Sequence, residues 1–327
     1  MWFPRILLAG LAFAAVSAWA VSVRADPVHR WMQAWPNTDF TRSAVPLAEI
    51  RPGGPDRDGI PSIDDPRFAT IADAGVPGIE PVVSVAVGGE ARAYPLRILI
   101  WHQIVNDSVA GVPIVVTYCP LCNAALVFER RVGGESVEFG STGLLRHSDL
   151  VMYDRRTESW WQQYEGRAIV GLMAGVRLRQ LPARLEAMQR FAERHPGGRV
   201  LVPADADSRP YGRNPYTGYD SMPTPYSYDG PLPEGLPPLA RVVAVAGHAW
   251  SLALVKARGS IRVDDIEIEW TPGQSSALDA KHIAEGRDVG NVVVRRRHGD
   301  ALIDIPYTVE FAFVFKAFNP DEEIVVE

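Results

Sequence analysis

Short runs of β-branched and aromatic residues, separated by turn residues, recur along the chain from about residue 80 onward. Residues 82–87 run Val-Val-Ser-Val-Ala-Val after Pro81, and residues 91–94 follow after the turn residues Gly88 and Gly89. Residues 115–118 are β-branched or aromatic and residues 125–128 are apolar, on either side of a Cys-Pro-Leu-Cys segment. Runs of this length and composition predict short strands joined by hairpin turns.

Helical patterns are few. Residues 95–107 have apolar positions at mixed spacing and predict a short helix. Residues 182–194 give the best helical pattern, with Leu185, Met188 and Phe191 on one face and His195-Pro196-Gly197-Gly198 ending it. Residues 203–238 are dense in proline, tyrosine, glycine and aspartate. We expect them to form a long loop that connects two lobes or covers a site.

The pattern of apolar and turn residues in the C-terminal part of the chain resembles that in the first part. Residues 242–246 match residues 82–86, residues 266–278 match residues 114–126, and residues 293–299 match residues 127–133. We therefore predict a mainly β (α+β) protein with two related hairpin-rich lobes, a degenerate internal duplication and a short helical excursion. In this alignment Thr271 and Gln274 stand where the first lobe has its two cysteines.

The predicted boundaries are residues 1–25 for a signal peptide, 26–75 for an extended or loop region, 76–230 for the first lobe and 231–327 for the second. Arg5 precedes an apolar run from residue 6 to about residue 23, and residues 18–20 and 23–25 each offer a small-residue cleavage site. An uncleaved membrane anchor is the alternative. Later residues contain no apolar stretch long enough to span a bilayer. We expect an exported protein, periplasmic or secreted, without a membrane span after cleavage.

Composition and charge narrow the function classes. The 327 residues are 47% hydrophobic and 22% charged, which is typical of a globular protein. The net charge of −6 provides no general basic field, so nucleic acid is not an expected partner. The chain has no P-loop, G-x-S-x-G or nucleotide-binding glycine motif in its proper context. The expected partner is another protein or a small molecule. Whether this chain is an enzyme stays open.

Cys119 and Cys122 are the only two cysteines and form a C-x-x-C motif. In an oxidising compartment two cysteines usually form a structural disulfide. A disulfide that closes so short a loop removes little entropy from the unfolded chain, so stability is a poor reason for it. The motif therefore favours a metal site or a redox site.

Six motifs around these cysteines form a specific combination. They are Ala93-Tyr94-Pro95-Leu96, Trp101-His102 with Ile104-Val105-Asn106-Asp107, Thr117-Tyr118-Cys119-Pro120-Leu121-Cys122, Phe139-Gly140-Ser141-Thr142-Gly143, Ser148-Asp149-Leu150-Val151-Met152-Tyr153-Asp154, and Thr157-Glu158-Ser159-Trp160-Trp161-Gln162-Gln163. Together they resemble an uncharacterised bacterial family, domain of unknown function 3179, over most of the chain after about residue 75. The resemblance implies little about activity. The family often has asparagine at the position of His147 and histidine at that of Asn319, which weakens His147 as an essential residue.

Two thiols make a soft ligand pair, which favours Cu(I), whereas zinc requires four ligands. His102 and Met152 are the candidates to complete a metal site, and His147 is a weaker one. Each of the three also has an ordinary role as a core or hydrogen-bonding residue. We predict metal binding or handling, with copper first and zinc second as the cofactor.

Two other classes remain open. Cys119 and Cys122 could exchange disulfides with a partner, although no thioredoxin-like strand–helix pattern surrounds them. A binding module with a structural disulfide is the third class, with the tyrosine-rich residues 211–228 as its recognition surface. A cysteine nucleophile with His102 as base is the weakest alternative, for which Ser148 and Asp149 could supply nearby polar groups.

Overall fold

The computed structural model describes residues 27–327, and the chain divides into two compact units, the first ending at Pro36 and the second beginning at Asn37. The predicted signal peptide lies outside these residues. The described helices are α1 Pro27–Ala34, α2 Ile71–Ala74, α3 Leu96–His102, α4 Met188–Arg194, α5 Leu252–Arg258 and α6 Ala312–Phe318. None of these helices has the length and apolar character needed to cross a bilayer.

Strands dominate the unit that begins at Asn37. In its first part they are β1 Ile50–Pro52, β2 Arg67–Thr70, β3 Pro81–Val87, β4 Glu90–Pro95, β5 Ile104–Val109, β6 Val112–Cys119, β7 Ala124–Glu129, β8 Arg131–Val132, β9 Glu135–Ser136, β10 Phe139–Arg146, β11 Asp149–Asp154, β12 Trp160–Gln162, β13 Arg167–Val170, β14 Arg179–Gln180, β15 Arg184–Ala187 and β16 Arg199–Val202. In its second part they are β17 Arg241–Val245, β18 His248–Ser251, β19 Ser260–Val263, β20 Ile266–Thr271, β21 Asn291–His298, β22 Ala301–Asp304, β23 Thr308–Phe311 and β24 Ile324–Val325.

The predicted mainly β class is confirmed. Five sheets of four or five strands have the orders β1-β10-β11-β12-β13, β14-β7-β6-β5, β15-β3-β4-β16-β2, β23-β17-β18-β24 and β19-β20-β21-β22. These five small sheets are arranged as the blades of a five-bladed propeller. β6 contributes a nearly continuous run of buried residues to the main core, because both faces of this strand are covered. The apolar residues of β20 and β21 pack in a separate cluster with those of β17 and β23.

Two of the sheets have the same plan. In one, β3 pairs antiparallel with β4 and β15, and β4 pairs parallel with β16. In the other, β17 pairs antiparallel with β18 and β23, and β18 pairs parallel with β24. Val82 lies opposite Glu186 just as Val242 lies opposite Glu310. Each sheet is also followed by a seven-residue helix, α3 or α5.

The hairpins that follow these helices differ at their tips. Cys119 pairs with Ala124 across the β6–β7 hairpin, and Thr271 pairs with Asn291 across the β20–β21 hairpin. Four residues connect the first pair, whereas residues 272–290 connect the second. Gln274 therefore lies in a long connection that has no counterpart at the cysteines.

The predicted helix over residues 182–194 is half wrong. Its first part is strand β15, and only Met188–Arg194 is helical. Residues 184–187 pair with the edge of β3, from Arg184 opposite Ser84 to Ala187 opposite Pro81. Pairing with an open sheet edge satisfies backbone groups over a long sequence distance and overrides the local helical pattern. The predicted helix over residues 95–107 likewise ends at His102, because Gln103 takes a positive φ of 59° before β5.

Candidate functional site

The two cysteines lie at the tip of the β6–β7 hairpin, as the apolar flanks predicted. The backbone N–H of Cys122 donates to the carbonyl of Cys119 at 3.2 Å, and that of Asn123 donates to Pro120 at 3.2 Å. Asn123 takes a positive φ of 52°, a conformation that asparagine tolerates better than most residues. This tight turn brings Cys119 and Cys122 to 3.4 Å, with both thiols buried and free.

A second hairpin tip faces the thiols. Arg146 at the end of β10 pairs with Asp149 at the start of β11, so the connecting loop has two residues, His147 and Ser148. Both take positive φ, 54° and 65°, as in the type I′ turns that join twisted strands. The Ser148 carbonyl oxygen lies 3.7 Å from Sγ of Cys119 and 3.6 Å from Sγ of Cys122. The short turn thus holds the Asp149 backbone next to both sulfurs.

Asp149 completes a group of metal-capable side chains. One ligand atom from each of Cys119, Cys122 and Asp149 lies within 4.8 Å of the others, and all three residues are buried. Oδ2 of Asp149 accepts hydrogen bonds from Nε2 of Gln162 at 2.6 Å and from the backbone N–H of Tyr164 at 2.9 Å. Oδ1 accepts no hydrogen bond from an N–H or hydroxyl group, and the two thiols are the other groups that favour the ionised carboxyl. The carboxylate is therefore anchored through Oδ2 by groups other than the thiols, whose protons a metal would replace.

Burial controls the protonation of this group. Loss of solvent raises the pKa of Asp149 to about 6, although the N–H groups of Gln162 and Tyr164 and the two cysteine thiols favour the carboxylate and lower it. Burial also raises the pKa of the Cys122 thiol well above its ordinary value, and the neighbouring Cys119 adds to that rise. The thiol of Cys122 is consequently protonated at neutral pH, and a metal ion must displace its proton.

The tyrosine-rich loop covers the thiols. Oη of Tyr219 donates to the carbonyl of Leu121, between the cysteines, at 3.1 Å. Oγ of Ser148 donates to the carbonyl of Tyr226 at 2.6 Å, and the N–H of Tyr226 donates to Oη of Tyr219 at 3.3 Å. Burial raises the pKa of Tyr216 to about 12, so its hydroxyl is neutral. The loop closes the site with neutral groups and excludes solvent.

His102, a predicted ligand, has partners at both ring nitrogens. Nδ1 lies 2.9 Å from the carbonyl of Pro61, and Nε2 lies 2.8 Å from Oη of Tyr211, whose ring stacks on the imidazole. Burial lowers the pKa of His102, so the ring is neutral. His102 is not a member of the group formed by the cysteines and Asp149. Its role as a ligand stays a prediction.

Met152 and His147 are also placed by the structure. Met152 is fully buried on β11 between Ser141 and Trp161, and it points to the face of the strand opposite to Asp149. Nε2 of His147 lies 3.4 Å from the Glu49 carboxylate, and its ring packs edge-on against Phe318. His147 does not belong to the group formed by the cysteines and Asp149. The roles of Met152 and His147 as ligands stay predictions.

Asp149 is the residue that sequence reasoning named only as a nearby polar group. A signal was present, because Arg146-His147-Ser148-Asp149 lies between two apolar runs and has the length of a tight hairpin. What the sequence does not contain is the position of this hairpin opposite the β6–β7 tip.

Comparison with known proteins agrees with the predicted family. The family model described as protein of unknown function (DUF3179) matches residues 57–322, which covers all six motifs and both cysteines. Neither curated proteins nor solved structures gave a match to the chain.

Proposed function

The chain belongs to the family of proteins of unknown function DUF3179, and we propose that its buried Cys119–Cys122–Asp149 group binds a thiophilic metal ion. The observation that carries the proposal is the convergence of two sulfurs and a carboxylate oxygen within 4.8 Å. A buried carboxylate is costly unless its charge is balanced. A metal cation supplies that balance.

The donor set favours zinc over copper, which reverses the order expected from the two cysteines alone. Cu(I) prefers soft ligands only, whereas zinc accepts sulfur together with carboxylate oxygen. At a Zn–S distance of about 2.3 Å and a tetrahedral angle, two sulfurs are about 3.8 Å apart, and a linear S–Cu–S unit at similar bond lengths requires about 4.6 Å. The approach of Cys119 and Cys122 to 3.4 Å is nearer to the tetrahedral value. Copper remains the second candidate because the two thiols are adjacent.

Charge balance supports a divalent ion. Two thiolates and one carboxylate place three negative charges in a site without solvent, and a monovalent ion neutralises only one of them. Zinc neutralises two. A fourth zinc ligand would be a water molecule or a further protein group.

Disulfide exchange with a partner protein fits the burial less well. An attacking or attacked sulfur must be reached by the other thiol, and Cys119 and Cys122 are 1% and 0% exposed. Their separation nevertheless allows them to oxidise to an internal disulfide. The test below therefore includes the oxidised state as an outcome.

The experiment is a competitive titration of zinc, and separately of Cu(I), into reduced metal-free protein in the presence of a chromophoric chelator. Variants Cys119→Ser, Cys122→Ser and Asp149→Asn are compared with Asp154→Asn, a buried aspartate on the same strand that accepts from Thr157 and Trp161. We expect one zinc per chain, with affinity lowered at least about tenfold in the three site variants and unchanged in the control.

Reduced protein that binds neither metal would refute the proposal, as would binding that the three site variants leave unchanged. Tighter binding of Cu(I) than of zinc, with Asp149→Asn without effect, would replace zinc by copper on the two sulfurs. A thiol titration that finds no free thiol before reduction would indicate an internal disulfide instead.

We also propose export through the segment of residues 1–25, to the periplasm or the medium. Its support is the basic, apolar and small-residue order of that segment. The test is N-terminal sequencing of protein recovered from outside the cytoplasm. A first residue of Asp26 is expected, and an intact Met1 on cell-associated protein would indicate an uncleaved anchor.

A degenerate internal duplication is a further proposal about the scaffold of this site. Its support is the shared strand order and register of the β3–β4 and β17–β18 sheets and the helix that follows each. Superposition of the two sheet–helix units in an experimental structure tests it. A one-residue difference in register between the two would argue against common descent.

A further inference from the structure

A cavity lies apart from the cysteine group, in the second half of the fold. It has a volume of about 360 Å³ and is lined on its apolar side by Met222, Leu239, Leu252 and Trp270. Met222 is 48% exposed, so the cavity is open to solvent on that side. Its size lies in the range of small-molecule sites, which are mostly apolar with a few convergent polar groups.

The aromatic wall is fixed in place. Nε1 of Trp270 donates to the carbonyl of Val289 at 3.1 Å. Gly290 lies directly beneath the indole ring, where a Cβ atom would approach Nε1 to 2.1 Å. The glycine therefore allows the ring to lie close against the backbone. A ring held in this way offers a preformed flat surface to a planar ligand.

The acidic side chains of the cavity wall already have hydrogen-bond partners. Asp220 accepts hydrogen bonds from Arg241 and Arg287, each at 2.8 Å, and from Oγ of Ser276 at 2.5 Å. The arginines hold its pKa below the usual range although burial acts in the opposite direction. Asp288 also lies in the wall and accepts the backbone N–H groups of residues 273, 274 and 290 at 2.9–3.2 Å.

Lys256 is exposed, and its ammonium lies over the Trp270 ring, 5.1 Å from the ring centre. Asp220 is paired with two arginines, and Asp288 accepts backbone N–H groups. Among the charged side chains of the wall, all of them in the described part of the chain, Lys256 is therefore the one without a hydrogen bond or an ion pair. A positive charge beside an apolar wall concentrates anions at that point.

We propose that this cavity binds a small planar organic acid. The planar body lies against Trp270 and Leu252, and the acid group forms an ion pair with the ammonium of Lys256. A cavity of this volume accommodates one or two fused rings with a single acid group. The proposal is independent of the metal, because none of Cys119, Cys122 and Asp149 lines the cavity.

Two probes of the same shape separate charge from apolar contact. Binding of 1-naphthoate and of the neutral 1-naphthamide to the whole protein is measured by isothermal titration calorimetry. The variants are Lys256→Met, which retains the apolar stem, and the control Lys281→Met, an exposed lysine outside the cavity. Trp270→Leu removes the flat wall.

We expect naphthoate to bind more tightly than naphthamide to the unmodified protein. Lys256→Met should weaken naphthoate about tenfold and leave naphthamide unchanged, since only the acid uses the ammonium. Trp270→Leu should weaken both probes, and Lys281→Met neither. Equal affinity of the two probes, or naphthoate binding that Lys256→Met does not change, would overturn the proposal. So would the absence of naphthoate binding to the unmodified protein.

Discussion

Gln162 donates a hydrogen bond of 2.6 Å to Oδ2 of Asp149, while its own Oε1 accepts from a guanidinium N–H of Arg146 at 3.4 Å. The arginine determines which end of the amide faces the aspartate, because guanidinium groups only donate. Gln162 therefore presents its NH₂ group to the carboxylate. An orienting partner of this kind is typical behind metal ligands.

We predict that Gln162→Met weakens zinc binding about tenfold, because the aspartate loses a donor that holds it in place. The measurement is the chelator competition used for the site variants. If Gln162→Met binds zinc as the unmodified protein does, Asp149 is not a ligand that Gln162 positions.

The pH dependence of stability tests the environment of Asp149. Its pKa of about 6 in the folded protein is above the ordinary value of 3.8, so the folded state holds this proton more tightly than the unfolded chain does. The stabilisation is complete below about pH 4 and is lost as the pH rises through 6. Two pKa units correspond to about 3 kcal/mol.

In metal-free reduced protein, the Asp149→Asn variant cannot lose a proton at this position, so it does not lose stability as the pH rises through 6. We expect the free energy of unfolding of the variant, relative to the unmodified protein, to rise by about 3 kcal/mol between about pH 4 and pH 7. Urea unfolding at the two pH values measures it. A difference that is the same at both values would show that the folded carboxyl is not perturbed.

Glu310 is a second buried carboxyl whose protonation can be tested. It is 0% exposed, accepts a hydrogen bond from Oη of Tyr164 at 2.8 Å, and has a pKa raised well above its usual range by burial. Burial therefore favours the neutral form of this carboxyl. We expect Glu310→Gln to change stability by less than about 1 kcal/mol, because the amide also accepts from Tyr164.

Glu310→Ala should cost about 1–3 kcal/mol, since the Tyr164 hydroxyl is then buried without a partner. Chemical denaturation at neutral pH compares the two variants. A Gln variant as destabilised as the Ala variant would mean that Glu310 carries a charge in the folded protein.

The tyrosine loop should limit access to the thiols. Tyr219→Phe removes the hydrogen bond to Leu121, and we expect the reaction of the reduced thiols with 5,5′-dithiobis(2-nitrobenzoate) to become about tenfold faster. The matched control is Tyr226→Phe, because Tyr226 contacts the site through its backbone and its side chain is exposed. Equal rates for both variants would place the limiting motion elsewhere.

The turn opposite the cysteines gives a prediction for His147. Its positive φ of 54° is a conformation in which asparagine is favoured and a β-branched side chain is strained. We expect His147→Asn to be at least as stable as the unmodified protein and to bind zinc with the same affinity. His147→Val should lose about 1–3 kcal/mol. Thermal unfolding and the zinc titration are the measurements, and a loss of zinc in His147→Asn would make His147 a ligand after all.

The sequence was sufficient where a feature depends on neighbouring residues. The strands on either side of Cys119 and Cys122, the glycine turn after β3 and the mainly β class follow from local alternation and turn chemistry. The family follows from the combination of short motifs. The asparagine expected at position 147 has a local cause as well, since a two-residue turn there requires positive φ.

Tertiary structure decided what depends on distant residues. Residues 184–187 form a strand because the edge of β3, about 100 positions earlier, offers hydrogen bonds that a local helix cannot match. Asp149 becomes the partner of the two cysteines because separate hairpins place their tips against each other, and burial at that contact raises its pKa. Spacing along the chain determines which residues share a strand, whereas only the packing of one sheet against another determines which tips meet.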